Sequence, residues 1–392
     1  MKPTNPVFTG IDTTVFETMS RLAKAHYAVN LGQGFPDVDG PEDIRKVAAE
    51  ALIDGPNQYP PMLGLPELRE AVAEANLRFY GLDVDPQTEV LVTSGATEAL
   101  ADCILSLISP GDEVVLIEPL YDCYLPLVRR AGGIPVRVRV TPPQWALDRE
   151  ALADAFSDKT KAILLNNPMN PTAKVFSEDE LQFIADLCVR HDAYAICDEV
   201  YEHLVFDGKV HRPLMTFEGM RERSVRIGSA GKTFSLTGWK VGYVTGPAHL
   251  MDPIAKAHQW VTFTTPPNLQ KAVAYGLKKG NDYYDGLVQD LTAKRDRMAR
   301  GLEGLGFSVL PCAATYFLTC GIDGLGLGET DVEACETLVK EAGVAAVPVS
   351  AFYGADAPTG YIRFCFCKQD AVIDEARARL SAFLTAERAE SA

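Results

Sequence analysis

Lys232 stands in Gly228-Ser229-Ala230-Gly231-Lys232-Thr233-Phe234-Ser235-Leu236-Thr237-Gly238-Trp239-Lys240-Val241-Gly242, directly after the apolar run 225–229. A lysine set among glycine, serine and aromatics at a strand end is not an ordinary solvated lysine. Partial burial would keep its amine neutral and nucleophilic. Gly231-Lys232-Thr233 matches the end of a P-loop, but that motif requires glycine where Arg226 stands, so it is rejected.

Three further loops carry residues that could do chemistry. Ser94-Gly95-Ala96-Thr97 opens a helix, where free N–H groups and the helix dipole can cradle a phosphate; the same residues also make a plain turn. In Asn166-Asn167-Pro168-Met169-Asn170-Pro171-Thr172-Ala173, prolines fix the backbone, so the asparagine amides are held either for binding or for the turn itself. Asp198 closes the apolar run 194–197 and opens Asp198-Glu199-Val200-Tyr201. A carboxylate at the end of a buried strand needs a cationic or donor partner, either a structural arginine or the protonated ring nitrogen of a ligand.

The elements that must position these loops follow from the apolar pattern. Short apolar runs at 90–93, 113–117, 134–138, 162–165, 194–197 and 225–229 alternate with helical stretches. Ser177-Glu178-Asp179-Glu180 is a capping box that starts a helix to about 190. Near-continuous apolar strands separated by helices predict an α/β fold with a mostly parallel sheet between helices. Ligands of such sheets sit beyond the carboxyl ends of the strands, where all four loops lie. Residues 1–30 read as an arm and a short helix. Residues 42–80 read as helical, interrupted by the rigid loop Gly55-Pro56-Asn57-Gln58-Tyr59-Pro60-Pro61, and a long charged helix from about 286 leads into a smaller α/β region. The expected division is a large domain over 46–285 and a small domain formed by 1–45, with its N-terminal arm, and 286–392.

A chain of 392 residues exceeds one ordinary core. Its formal net charge of -16 would repel nucleic acid and anionic membrane. Met1-Lys2-Pro3-Thr4-Asn5-Pro6 lacks the apolar centre of a signal peptide and no stretch approaches a membrane span, so a cytoplasmic protein is expected. The nine cysteines show no metal-binding spacing, and no metal is expected. Cys365 and Cys367 alternate with Phe364 and Phe366, as on one face of a strand, and read as buried thiols.

Ser229-x-x-Lys232 with Lys240 eight residues on, Asn170-Pro171, Asp198-x-x-Tyr201 and Arg363 together resemble the class I/II aminotransferases, fold-type I enzymes that use pyridoxal phosphate (PLP). The resemblance runs from Asn30-Leu31-Gly32-Gln33-Gly34-Phe35-Pro36 to Tyr361-Ile362-Arg363-Phe364. Gln58-Tyr59, Glu118-Pro119-Leu120-Tyr121-Asp122-Cys123-Tyr124 and Val347-Pro348-Val349-Ser350-Ala351-Phe352-Tyr353 are most similar to the glutamine transaminase K / kynurenine aminotransferase I branch.

The resemblance implies a role for each residue. Lys232 forms the Schiff base with PLP and moves the proton between substrate Cα and cofactor C4′. Asp198 pairs with the pyridinium nitrogen, and Tyr201 and Asn170 bond the phenolic oxygen. Gly95, Ala96, Thr97, Ser229 and Lys240 hold the phosphate, and Tyr121 stacks on the ring. Arg363 grips the substrate α-carboxylate near Gly34 and Asn170, whereas its spacing alone also allows a surface arginine. Phe16, Tyr121, Phe263, Phe352 and Tyr353 are expected at the side-chain pocket, at least two of them as simple core packing. Tyr59 and Phe263 are expected to cross between the subunits of a homodimer with shared active sites.

The activity so implied is ping-pong transfer of the amino group of a neutral L-amino acid (aromatic, sulfur-containing or amide) to an α-keto acid. A PLP-dependent β-lyase acting on cysteine S-conjugates would use the same Lys232 and Arg363. A non-catalytic PLP-binding regulatory module is the remote third reading, which an acidic chain without an appended DNA-binding segment does not favour. Two positions depart from the family pattern. Ala173 replaces a frequent glycine, so the turn must avoid positive φ or bear strain. Lys240 stands where many members have arginine.

Overall fold

The apolar runs assemble into one eight-stranded sheet. Its strands lie in the order Val90–Thr93, Gly242–Thr245, Ser224–Ser229, Tyr194–Asp198, Thr160–Asn166, Glu113–Glu118, Ile134–Thr141 and Ala146–Leu147. The computed structural model describes residues 2–11 and 13–390, without the side chains of 387–390. The five strands from Ser224–Ser229 to Ile134–Thr141 are mutually parallel. Gly242–Thr245 is antiparallel to both neighbours, and Ala146–Leu147 to its single one.

Apolar residues cover both faces of this sheet, which is why its strands read as unbroken hydrophobic runs. Val115, Ile117, Ile163 and Leu165 pack on one side, and Val114, Leu116, Leu164 and Ile196 on the other. Burying each such side chain contributes roughly 1.5–3 kcal/mol. The sequence runs did not include Gly242–Thr245, whose leading glycine hides it within the lysine loop. That glycine is required by close approach: a Cβ there would lie 2.7 Å from the Gly95 carbonyl carbon and 2.9 Å from Ala96 N.

The capping box at Ser177 forms with both halves present and starts the helix Glu178–Arg190. The long charged helix runs over Asn281–Leu305, a little earlier than its charge pattern suggested. It leads into a four-stranded antiparallel sheet ordered Ser308–Val309, Phe317–Gly321, Tyr361–Cys365 and Val347–Pro348. The core of this second region contains Phe317, Phe364 and Leu380, and it also takes in Val200, Tyr201 and Leu204 from beyond the strand Tyr194–Asp198. The smaller sheet is therefore packed directly against a strand end of the larger one. No helix among the described residues is long and apolar enough to cross a membrane.

Ala173 takes the second option open to it. Its φ is 57°, so the alanine occupies the left-handed region and bears the strain. Cys365 closes its strand, and Cys367 lies just beyond it with the two Sγ atoms 3.2 Å apart. All nine cysteines are free.

Candidate active site

Five strand ends of the large sheet and two strands of the small sheet meet around a cavity of about 420 Å³. Gly34, Gly95, Ala96, Thr97, Tyr121, Asn170, Asp198, Tyr201, Ser229, Lys232, Lys240, Phe16 and Arg363 all line it. Residues separated by more than three hundred positions in the chain thus share one wall.

Ser224–Ser229 runs straight into the single helical turn Ala230–Thr233, which presents Lys232. Lys232 Nζ donates to Tyr316 Oη at 2.8 Å, and that hydroxyl donates to the Gly34 carbonyl at 2.7 Å. Burial pushes the amine's pKa below its ordinary value, Asp198 works in the opposite direction, and the Arg363 charge adds to burial. The proton is thereby easier to remove than from a solvated lysine.

Asp198 closes its strand fully buried. Its Oδ2 accepts from Tyr124 Oη at 2.5 Å, while Oδ1 accepts only a long bond of 3.4 Å from Val200 N. Burial raises its pKa, opposed by the Tyr124 hydrogen bond. Arg226, on the neighbouring strand, does not serve as a structural arginine for Asp198. That side chain pairs instead with Glu199 at 2.6 Å and Glu202 at 2.9 Å. Among the described residues none forms an ion pair with Asp198. Asn166 donates to the Asp198 carbonyl at 3.0 Å and accepts from Asn170 N at 2.8 Å, which ties the asparagine loop to the aspartate strand.

Arg363, in the strand Tyr361–Cys365, is 1% exposed and so is not a surface arginine. Its Nη1 donates to Asn170 Oδ1 at 2.8 Å and its Nη2 to the Gly32 carbonyl at 3.0 Å, but Nε has no partner. Phe317 lies under the guanidinium at 3.9 Å, with Phe352 and Phe16 at 5.1 and 5.2 Å. Burial pushes its pKa down to about 10, so it remains a cation at neutral pH, and among the described residues it has no ion-pair partner. A substrate carboxylate would supply that anion in a bidentate pair.

At the other end of the cavity, Gly95 caps the helix Ala96–Leu107 with φ 81° and no side-chain cap, leaving the first amides free. Lys240, itself at φ 54°, brings its ammonium over this turn: a Cβ on Gly95 would sit 3.3 Å from Lys240 Nζ. Free amides, the Ser229 hydroxyl and an ammonium form a cup whose donors would suit a phosphate dianion. The cup, the under-bonded Asp198 and the half-buried amine together fit PLP by donor type.

The remaining expected residues fall outside the cavity lining. Phe352 is buried behind Phe16, edge-on at 5.6 Å, and touches the site through Arg363. Tyr353 donates to the Val140 carbonyl at 3.2 Å under Arg139, so it packs the core and does not shape the pocket. Tyr59 and Phe263 meet edge-on at 5.5 Å on the surface, 83% and 37% exposed, and neither reaches the cavity of its own chain. The sequence reading missed Tyr316, Tyr124, Asn166, Asp122, Phe35 and Phe317. Tyr124 and Asp122 stood in a stretch already singled out, but nothing local marks Tyr316, whose partner Lys232 is 84 residues away.

Comparison with known proteins agrees with this geometry. The family described as aminotransferase class I and II matches residues 27–380. A probable N-succinyldiaminopimelate aminotransferase of Mycobacterium tuberculosis is 46% identical over 94% of this chain and 96% of its own. The solved structure of the N-succinyldiaminopimelate aminotransferase from that organism covers 97% of this chain and 100% of its own, with a TM-score of 0.94. Methionine aminotransferase of Escherichia coli is 39% identical over 94% of this chain and 96% of its own. Human kynurenine–oxoglutarate transaminase 3 is 39% identical over 95% and 89%. The chain belongs to the class I and II aminotransferases.

Proposed function

We propose that the cavity binds PLP through Lys232 and passes the amino group of a neutral L-amino acid to an α-keto acid. One observation carries this reading: a part-buried amine, a buried carboxylate and a buried guanidinium, none of them in an ion pair among the described residues, face a single cavity. When bound, PLP supplies the electron sink that makes the substrate Cα–H acidic.

The residues do the rest. Arg363 takes the substrate carboxylate in its fork and, anchored by Asn170 and Gly32, fixes where Cα lies. Lys232 Nζ, made easier to deprotonate by burial, would take the proton from the substrate Cα, and Tyr316 Oη holds that amine in place. Asp198 would hold the ring nitrogen of a bound cofactor in its protonated form, because a buried carboxylate is stabilised by a cation against it. Residues 95–97, Ser229 and Lys240 anchor the phosphate end, while Phe16, Phe35 and Tyr121 keep water from the reacting atoms.

Choice of donor follows from the walls. Among the described residues lining the cavity the cations are Lys232, Lys240 and Arg363, and each already has a task. Asp122 adds a carboxylate. A second carboxylate on the donor would be desolvated without a partner, at a cost of several kcal/mol. A second reading rests on the relative at 46% identity, whose name points to an N-succinyldiaminopimelate donor. Such a donor would need a cation from outside the cavity of one chain. The test is kcat/KM for methionine, glutamine, phenylalanine, aspartate and the succinylated donor with one common keto acid. Neutral donors should exceed aspartate by more than about tenfold; equal or better aspartate turnover overturns the neutral-donor reading.

The exposed Tyr59–Phe263 pair, with Trp260 84% exposed nearby in sequence, supports a homodimer in which this patch meets the second subunit's site. Mixing Tyr59→Phe and Lys232→Ala chains should regenerate intact sites if they are composite. Sedimentation showing an active monomer would refute the arrangement.

A further inference from the structure

Beneath the phosphate cup lies a buried ionisable cluster to which the reaction gives no task. Glu98 sits in the first turn of Ala96–Leu107, Asp102 one turn further on, and His258 on the helix Ala248–Val261 packed against it. Their exposures are 8%, 0% and 0%. Glu98 Oε2 accepts from the backbone N–H of Ser94, the residue that enters the cup, and Oε1 accepts from His258 Nδ1 at 2.9 Å. Ser94 Oγ also meets Thr265 Oγ1 at 3.1 Å. Neither oxygen of Asp102 has a hydrogen bond; its ion-pair contact is His258 Nδ1 at 3.5 Å.

Two carboxylates in the dry base of a cup that receives a dianion are unfavourable unless a cation lies between them. Among the described residues His258 is the group that makes ion-pair contact with both. We propose that His258, as an imidazolium shared by Glu98 and Asp102, is a positioning residue for the phosphate cup. It holds Glu98 on the Ser94 N–H and so aims the amides of 95–97. It also offsets carboxylate charge below the bound anion. Burial alone would lower the imidazole pKa, but the Glu98 hydrogen bond and the charges of both carboxylates outweigh it and push it up to about 9. The same three groups are of metal-ligand type, with ligand atoms within 4.8 Å of one another. The direct 2.9 Å contact between Nδ1 and Oε1 has hydrogen-bond length and leaves no room for an ion between those two atoms.

The inference rests on the PLP reading, and the experiment separates the two. Full-length protein stripped of cofactor is titrated with PLP and with pyridoxal, which lacks the phosphate. If the wild type binds both equally, the cup is not a phosphate site and the PLP reading itself fails. If the wild type prefers PLP, His258→Gln should weaken PLP by about tenfold or more and leave pyridoxal within about twofold. A lesion that only loosened the fold would weaken both alike. Glu98→Gln keeps an acceptor for Ser94 N–H while removing the charge, so the Glu98→Gln/His258→Gln double variant should recover most of the PLP preference. Equal loss of both ligands, no loss at all, or no recovery in the double variant overturns the proposal. So does a wild-type preference that disappears on treatment with a metal chelator.

Discussion

Arg363→Lys preserves the charge of the carboxylate site and removes its geometry. In the structure Nη1 and Nη2 are held by Asn170 and Gly32 at 2.8 and 3.0 Å, so the planar fork is fixed before substrate arrives. Lysine offers one compact ammonium, cannot make a parallel pair of bonds, and would leave Asn170 Oδ1 or the Gly32 carbonyl without its donor. Charge-assisted hydrogen bonds contribute about 1.5–3 kcal/mol each, and an orphaned buried acceptor costs a further 1–3. With partial compensation by the ammonium, the loss in transition-state binding is about 2–4 kcal/mol, or about 30- to 900-fold in kcat/KM. The assay is kcat/KM for methionine and for 3-(methylthio)propylamine, its analogue without the carboxylate, in wild type and variant. The loss should appear with methionine and vanish with the amine, because only methionine engages the fork. Unfolding midpoints and cofactor content, measured alongside, separate a misfolded variant from a miscast site. If Arg363→Lys turns over methionine within about threefold of wild type, the carboxylate binds elsewhere.

Arg226→Met removes the guanidinium shared by the buried Glu199 and Glu202 and leaves them His211 and the Tyr80 hydroxyl, so unfolding by denaturant should show a loss of about 3–5 kcal/mol; a loss below about 1 kcal/mol would mean that these partners or water compensate the cluster. Ala173→Gly relieves a left-handed alanine and should raise stability by about 0.5–1 kcal/mol without changing kcat, as urea titration would show; destabilisation would mean that the methyl's packing outweighs the strain. His258 has a folded pKa of about 9, raised above its ordinary 6.5, so its stabilisation is full below pH 6.5 and is lost as pH rises through 9. Asp102, raised to about 6 from 3.8, loses its contribution earlier, as pH rises from 3.8 to 6, and the buried Cys103 thiol stays protonated throughout. The unfolding free energy of wild type minus His258→Gln should therefore shrink between pH 6.5 and 9; a flat difference would show that the imidazole is neutral in the fold.

Much of the scaffold was legible because the parallel strands are buried on both faces, which writes continuous runs of Val, Ile and Leu into the chain. Gly242–Thr245 escaped because its glycine answers to the close approach of Gly95 and Ala96, a contact with no local signature. Lys232, Asp198 and Asn170 stood out for a related reason: polar residues directly after buried strands are out of place unless something uses them. Tyr316 and Tyr124 carry no such mark. A tyrosine beside apolar residues reads as core, and only the folded chain shows its hydroxyl against Lys232 or Asp198. The aromatic pocket was drawn too broadly for the same reason, since Tyr353 has the composition of a pocket residue and the position of a core one. His258 was invisible because its partners lie 160 and 156 residues away on another helix.

Borohydride reduction of the holoenzyme, followed by peptide mapping, tests the central claim most directly. The account requires cofactor fixed irreversibly on one lysine, in the peptide that contains Lys232, with loss of transamination in proportion to labelling. Label on any other lysine, or full activity after complete reduction, would contradict it.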